Sequence, residues 1–351
     1  MLKTLVVGDG FIPAQSYLDA FAADAGSPEL LDVRNVDWSG VKAHHHELQQ
    51  VMEVSGANAV PAPPELLAAV GDVQALCLHF APIGRDLLTA APDLKLVSVA
   101  RTGLENVDLA EATARGIGVV PALGRNAGAV AELQIGLMLA EARNIARADA
   151  SIKTGGWRKD FPGARIEIAD STVGMIGFGH VGRIFAQRLD GFGPRMLAFD
   201  PYTDDVTLAE YDVQRAETLE QVFAEADFIA VQARHTAQTD RFIGAAQFAL
   251  MKPGAYFINV SRSRLVDTKA LLDVLQAGTI SGAGLDVFDD EPLAADSPWR
   301  SLDNVTMTTH FGGDTASTNR TSAKLVAAAV LEFARTGKVR HAVNADDLGW
   351  I

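Results

Sequence analysis

Short apolar runs alternate with longer segments of helical period along most of the chain. That alternation is the pattern of parallel sheets covered by helices. Leu2 to Val7, Val73 to Leu78 and Leu96 to Val99 read as strands, and Ala14 to Ala23 reads as a helix. Asp108 stands at a helix-capping position, and its helix ends at Arg115-Gly116, with glycine past the last turn. Ile117 to Val120 is then a short strand stopped by Pro121. Gly8-Asp9-Gly10 reads only as a turn, because Phe11-Ile12-Pro13 interrupts a helix start, so this block carries no phosphate loop.

Asn126 to Ala148 reads as one long helix, almost wholly apolar from Ala129 to Ala140 and therefore buried on most sides. It suits a place between domains or at a subunit interface. The irregular stretch after it, Thr154 to Ile166 (TGGWRKDFPGARI), carries Trp157, Phe161 and Pro162, which are expected to pack on something, a second subunit being one candidate. From Thr172 to Thr309 strand and helix alternate about six times, and Ala316 to Arg335 is helical again. The expected return of that last helix to the first block makes the first domain discontinuous.

One glycine motif has its full context. The strand Thr172 to Ile176 runs into Gly177-Phe178-Gly179-His180-Val181-Gly182 and a helix reaching about Leu189; the next strand ends in Asp200. Gly177 allows the tight turn, Gly179 lets backbone approach a pyrophosphate, and Gly182 lets helix and strand pack closely. The helix start, at His180 and Val181, then meets phosphate charge. Asp200 can accept from both ribose hydroxyls but repels a 2′-phosphate, and Pro201-Tyr202-Thr203 brings no arginine to hold one. The expected cofactor is NAD.

Composition narrows the class. The 351 residues suffice for two domains, and 48% hydrophobic with 21% charged residues fits a chain with a real core. A formal charge of −14 argues against nucleic acid and anionic membranes as partners. The one cysteine, Cys77, lies in an apolar run and reads as a buried small residue, so the expected setting is a reducing compartment, the cytoplasm. Met1 to Gly10 reads as a first strand and not a signal peptide, and no run is clean enough to span a bilayer. The run His44-His45-His46 suggests metal, but consecutive residues do not share a helix face, so it reads as solvated, and no metal is expected.

Three strand ends carry the remaining chemistry: Ser261-Arg262-Ser263, Asp289-Asp290-Glu291-Pro292 and Thr308-Thr309-His310. Ligands bind at strand ends in open α/β sheets. A cation there can hold an anionic substrate, an imidazole can move a proton, and a carboxylate can orient that imidazole.

The stretches RTGLENVD (Arg101 to Asp108), NAGAVAE (Asn126 to Glu132), the glycine loop, MKPGAYFINVSR (Met251 to Arg262), GLDVFDDEP (Gly284 to Pro292) and NVTMTTHFGG (Asn304 to Gly313) follow one another in order. Over nearly its whole length the chain thereby resembles the D-isomer-specific 2-hydroxyacid dehydrogenases, NAD-dependent enzymes of the phosphoglycerate, glyoxylate and hydroxypyruvate dehydrogenase kind. The resemblance implies an α/β fold of two Rossmann-like, doubly wound parallel-sheet domains with an active cleft between them. Residues 1–122 with 315–351 would form a flavodoxin-like substrate domain, and residues 123–314 the NAD-binding domain. It implies that Arg262 binds the substrate carboxylate and keto oxygen, Glu291 pairs with the histidine, His310 is the general acid/base, and Asp286 lies near the nicotinamide carboxamide. Backbone amides of Arg101-Thr102-Gly103 would help hold the carboxylate.

The implied activity is hydride transfer between NAD(H) and C2 of a D-2-hydroxy acid/2-keto acid pair, in a homodimer. Glu291 argues against formate dehydrogenase, whose members carry glutamine there. An NAD-sensing, non-catalytic interaction protein like the corepressors built on this fold is the rival reading. Departures concern the substrate: Ala233-Arg234-His235 replaces a usual proline, Ser263 a usual glycine, and Arg125 precedes the Asn126 helix. Arg101, Arg125 and Arg234 could serve a second anionic or polyhydroxylated group, and His79 could line the cleft. Nothing after Arg335 resembles the regulatory domain of longer phosphoglycerate dehydrogenases, so control through such a domain is not expected.

Overall fold

The computed structural model describes residues 1–38, 41–161, 163 and 165–351, with the side chains of Ala43 and His46 set apart; the expectations for Pro162 and for the His46 side chain lie outside the described residues. The chain folds into two compact units, Met1–Asn126 with Thr315–Ile351, and Ala127–Asp314.

The first unit is built on β1 (Leu2–Gly8), β2 (Leu31–Asp37), β3 (Ala75–Leu78), β4 (Leu96–Val99) and β5 (Gly118–Pro121). All pair in parallel, in the order β2-β1-β3-β4-β5. This is the flavodoxin-like order, whose direction switches between β1 and β3. Strand β3 is buried throughout because both faces are covered: Leu76 and Leu78 join one core cluster, while Ala75 and Cys77 join the other. Burial pushes the Cys77 thiol pKa up, which keeps it an inert apolar filler. Pro121 stands inside β5 rather than after it, which the sheet edge permits, since an edge strand has one side without ladder bonds.

The last helix, Ala316–Thr336, belongs to this unit. Thr315 caps it by accepting from Thr318 N at 3.0 Å, and Gly337, at φ 75°, ends it. Its apolar face (Ala323, Val326, Ala327, Val330) packs with Tyr17 and Phe21 of the helix Ala14–Ala22. The histidine run is only partly solvated. His44 is exposed, but His45 is fully buried, with its ring stacked on Trp38 at 4.2 Å between centroids. The loop carrying Trp38 supplies a partner that helical spacing within the run could not reveal.

The second unit contains β6 (Thr172–Ile176), β7 (Arg195–Phe199), β8 (Val213–Arg215), β9 (Phe228–Val231), β10 (Tyr256–Asn259), β11 (Gly282–Leu285) and β12 (Val305–Met307). Their order, β12-β11-β10-β9-β6-β7-β8, is again all parallel, with its switch between β6 and β9. Phe223, Phe248 and Phe257 fill one face, and Met138, Phe178, Phe185 and Ile258 the other.

The expected single helix from Asn126 to Ala148 is two helices, Ala127–Arg143 and Ile145–Lys153. Asn144 between them is left-handed at φ 55°, a conformation asparagine tolerates better than most residues. The break is braced by a buried ion pair. Arg147 donates to both Glu141 oxygens at 2.9 Å and to Asn144 Oδ1 at 3.0 Å. Burial still leaves the Glu141 pKa raised, with Arg147 opposing it. Among the described residues no helix is long and apolar enough to cross a membrane.

Candidate functional site

The glycine loop lies at the switch point of the second unit. Gly177 has φ 95°, and a Cβ there would meet Ala233 N at 2.8 Å, backbone at the end of β9. Only glycine satisfies both conditions. Gly182 approaches equally closely: a Cβ would meet Gln232 Oε1 at 2.7 Å and Gly177 O at 3.1 Å. At Gly179 a Cβ would meet nothing within 4 Å. The open volume therefore lies over Gly179, where the helix His180–Leu189 begins with His180 exposed and Val181 half-buried. Free N–H groups and the positive end of the helix face that volume, which suits a pyrophosphate.

Asp200 follows β7. Its Oδ2 accepts from Phe178 N at 2.6 Å, and its Oδ1 accepts from Tyr202 N at 2.8 Å and Thr203 N at 3.1 Å. The carboxylate thus ties the glycine loop to its own turn, with lone pairs left for ribose hydroxyls. These residues fit a dinucleotide.

The chemistry-bearing side chains come from the ends of β10, β11 and β12, which are neighbours in the sheet. After β10, Asn259 accepts from Ser261 N and donates to Arg262 O, both at 3.0 Å, and Ser261 Oγ donates to Ala233 O at 2.7 Å. That clamps the backbone while Arg262 stays exposed. Among the described residues its guanidinium makes one hydrogen bond, to Ser261 O at 2.8 Å.

After β11 comes Asp286, 1% exposed. Its Oδ1 accepts from Thr308 Oγ1 at 2.5 Å and Phe311 N at 3.2 Å, and its Oδ2 from Gly312 N at 2.9 Å. After β12, His310 is left-handed at φ 57°. His310 Nδ1 lies 2.7 Å from Glu291 Oε2, and Glu291 Oε1 accepts from Phe288 N at 2.9 Å. A carboxylate on Nδ1 places a proton there and turns Nε2 outward.

The sequence-derived residues of the first unit lie at its own strand ends. Arg101, after β4, sits 4.8 Å over the Phe80 ring and faces Glu53 at 3.5 Å and Glu105 at 3.6 Å. Thr102 and Gly103 follow it, and the Glu105 carboxylate packs so closely on Gly103 that a Cβ there would lie 2.4 Å from Oε2. Arg125 donates to Ser322 Oγ at 3.2 Å. Arg234, in the second unit, is exposed beside His235, whose Nε2 lies 2.7 Å from Asp240 Oδ1.

Two contacts escaped sequence reasoning, and His79, expected to line a cleft, is instead buried against Asp9. His79 Nδ1 lies 3.1 Å from Asp9 Oδ2, at the β1/β3 switch of the first unit, with both side chains 2% exposed. Asp9 also accepts from Phe11 N and Ile12 N at 2.8 Å. Burial pushes the His79 pKa down to about 4 in spite of Asp9, so the pair is a neutral imidazole donating to an ionised carboxylate. The signal was a histidine and an aspartate each ending a strand of one sheet. The other feature is Arg215, which reaches the Asp200 turn from β8.

Residues 135–312 match the model of the D-isomer specific 2-hydroxyacid dehydrogenase NAD binding domain. The chain is 36% identical over 303 residues to a D-3-phosphoglycerate dehydrogenase of Methanocaldococcus jannaschii, covering 86% of this chain and 57% of that one. It is 34% identical over 334 residues to a glyoxylate reductase of Thermococcus litoralis, covering 92% and 98%. The chain spans about half the length of the curated phosphoglycerate dehydrogenases it matches. Among solved structures, the NADPH-dependent glyoxylate/hydroxypyruvate reductase of Sinorhizobium meliloti superposes with a TM-score of 0.67 at 26% identity, covering 97% of this chain and 96% of that one.

Proposed function

The chain belongs to the D-isomer specific 2-hydroxyacid dehydrogenase family, and we propose that it interconverts a D-2-hydroxy acid and its 2-keto acid with NAD(H). The observation that carries this reading is the 2.7 Å pairing of His310 Nδ1 with Glu291 on a turn whose imidazole is otherwise exposed.

Reduction of a 2-keto acid adds a hydride at C2, supplied by bound NADH, and a proton at the C2 oxygen. His310 Nε2 gives that proton, and in the oxidative direction takes it back. Glu291 stabilises the imidazolium and fixes the ring's orientation. Arg262 binds the substrate carboxylate and keto oxygen and stabilises the charge that develops on that oxygen. Its one local hydrogen bond leaves most of the guanidinium's donors for this. Gly177, Gly179, His180, Val181 and Gly182 hold the pyrophosphate, and Asp200 the adenosine ribose. Arg101, Thr102, Gly103 and Arg125 are substrate-binding candidates on the first unit.

A cytoplasmic homodimer is part of the same reading. Cys77 is a buried apolar filler, so the fold needs no oxidising compartment. Trp157, 77% exposed, with exposed Ile145 and Ile152, supports a second subunit.

The test is optical NADH oxidation against a panel of 2-keto acids, glyoxylate and hydroxypyruvate included. Turnover with one acid, abolished in His310→Ala while NADH still binds, upholds the proposal. NADH binding without turnover of any acid would overturn it in favour of a sensor.

A further inference from the structure

Asp200 is held in place by an arginine that no motif contains. The turn after β7 runs from Asp200 to Thr203, and the Asp200 carboxylate takes its N–H groups from within. The turn's carbonyls are taken from outside by Arg215. This residue ends β8, in register with Ala198 of β7. Its Nη1 donates to Asp200 O at 3.2 Å, its Nη2 to Thr203 O, and its Nε to the Asp205 carboxylate. Two arms of the planar fork are therefore spent on the turn, and the third on the start of the helix that follows it.

That arrangement has two consequences for the cofactor. The Asp200 oxygens are fixed without a side chain of the turn touching them, so the ribose-binding geometry exists before the ligand arrives. The charge of Arg215 itself is also committed. A guanidinium already bonded to two carbonyls and a carboxylate is not turned toward a 2′-phosphate.

We propose that Arg215 is a positioning residue that sets the preference for NAD over NADP by locking the Asp200–Thr203 turn. The proposal rests on the NAD-binding reading and deepens it. On this proposal the phosphate is refused by the placement of Asp200, and the placement depends on β8.

The test is calorimetric binding of ADP-ribose and 2′-phospho-ADP-ribose to the full chain, which reads the adenosine half without turnover. Wild type is expected to favour ADP-ribose. Arg215→Met is expected to weaken ADP-ribose about tenfold, the effect of losing roughly one charge-assisted hydrogen bond. It should leave 2′-phospho-ADP-ribose within about twofold, so the selectivity narrows. Asp205→Asn removes the ion pair but keeps the carbonyl contacts, and is expected to retain wild-type selectivity.

Arg215→Lys keeps the charge without the fork and is expected to fall between. It carries the comparison if Arg215→Met folds poorly. Equal weakening of both ligands, or selectivity unchanged in Arg215→Lys and Arg215→Met, would overturn the proposal. If wild type binds neither ligand, the NAD reading fails first and this inference with it.

Discussion

Asp286 holds the turn that carries His310 without a hydrogen bond to His310 itself. Its carboxylate binds Thr308 on one side, and Phe311 and Gly312 on the other. His310 is left between these anchors in a left-handed conformation that a non-glycine residue adopts only when its surroundings require it. Expected from this is a loss of kcat in Asp286→Ala of about 100-fold, the scale of an ångström of misplacement, with the Kd for NADH changed only a few-fold. Stopped-flow binding beside steady-state kinetics separates the parameters. A Kd that rises as much as kcat falls would make Asp286 a cofactor contact instead.

The glycine loop makes a paired prediction. Gly177→Ala forces a Cβ into the β9 backbone at a positive φ, and the strain is local to the switch point. It is expected to lower Tm and abolish NADH binding together. Gly179→Ala meets no protein atom within 4 Å. It should keep the wild-type Tm yet weaken NADH at least tenfold, because only a bound pyrophosphate would collide. Differential scanning calorimetry and fluorescence titration decide between the two; a Gly179→Ala chain that binds normally would remove the pyrophosphate from this loop.

Much of this was legible in the sequence because the features are local in the chain. A strand, a glycine turn and a helix follow one another within about twenty residues, and each glycine answers a steric demand set by its neighbours. Asp108 caps its helix by accepting from Glu111 N at 3.1 Å, as three-residue spacing predicts. What escaped depends on contacts between separate elements. Asp9 and His79 are 70 residues apart and meet only because β1 and β3 are neighbours. Arg215 reaches Asp200 across the β7/β8 ladder, and His45 is buried by Trp38 from the preceding loop. The break at Asn144 was hidden because no glycine or proline marks it, while a tertiary ion pair stabilises it.

The Asp9–His79 pair predicts how stability varies with pH. The His79 pKa is about 4 in the folded chain, against an ordinary value of 6.5, with burial the main cause. Below pH 6.5 the unfolded chain takes up a proton that the folded chain refuses until about pH 4. Stability should therefore be complete above 6.5 and fall as pH drops through that window, by about 3 kcal/mol at 1.36 kcal/mol per pH unit. The Asp9 pKa is also lowered, so its contribution is lost in the same direction at still lower pH. His79→Gln keeps a hydrogen-bond donor toward Asp9 but has no proton to gain. Urea unfolding at pH 7, 5.5 and 4.5 is expected to show a shallower pH dependence for His79→Gln than for wild type. Equal slopes would mean that His79 is not the group responsible.

Asn344 provides a stability prediction confined to the first unit. Its side chain is 2% exposed and makes three hydrogen bonds. Oδ1 accepts from Val119 N at 3.0 Å, and Nδ2 donates to Ile117 O at 2.9 Å and Thr113 Oγ1 at 2.8 Å. The segment after Ala316–Thr336 is thereby stitched to β5, the edge strand that otherwise has ladder partners on one side only. Close by, Trp350 packs so tightly on Gly118 that a Cβ on that glycine would overlap the indole ring. Asn344→Ala leaves a buried N–H and a buried carbonyl unpaired, each costing about 1–3 kcal/mol. A loss of roughly 3 kcal/mol in unfolding free energy is expected, with the NADH Kd unchanged, because the glycine loop and Asp200 belong to the other unit. The comparison also measures how far the units unfold independently. Calorimetry of wild type and Asn344→Ala gives that answer: one transition shifted whole means the units unfold together, and a transition split in two means they do not.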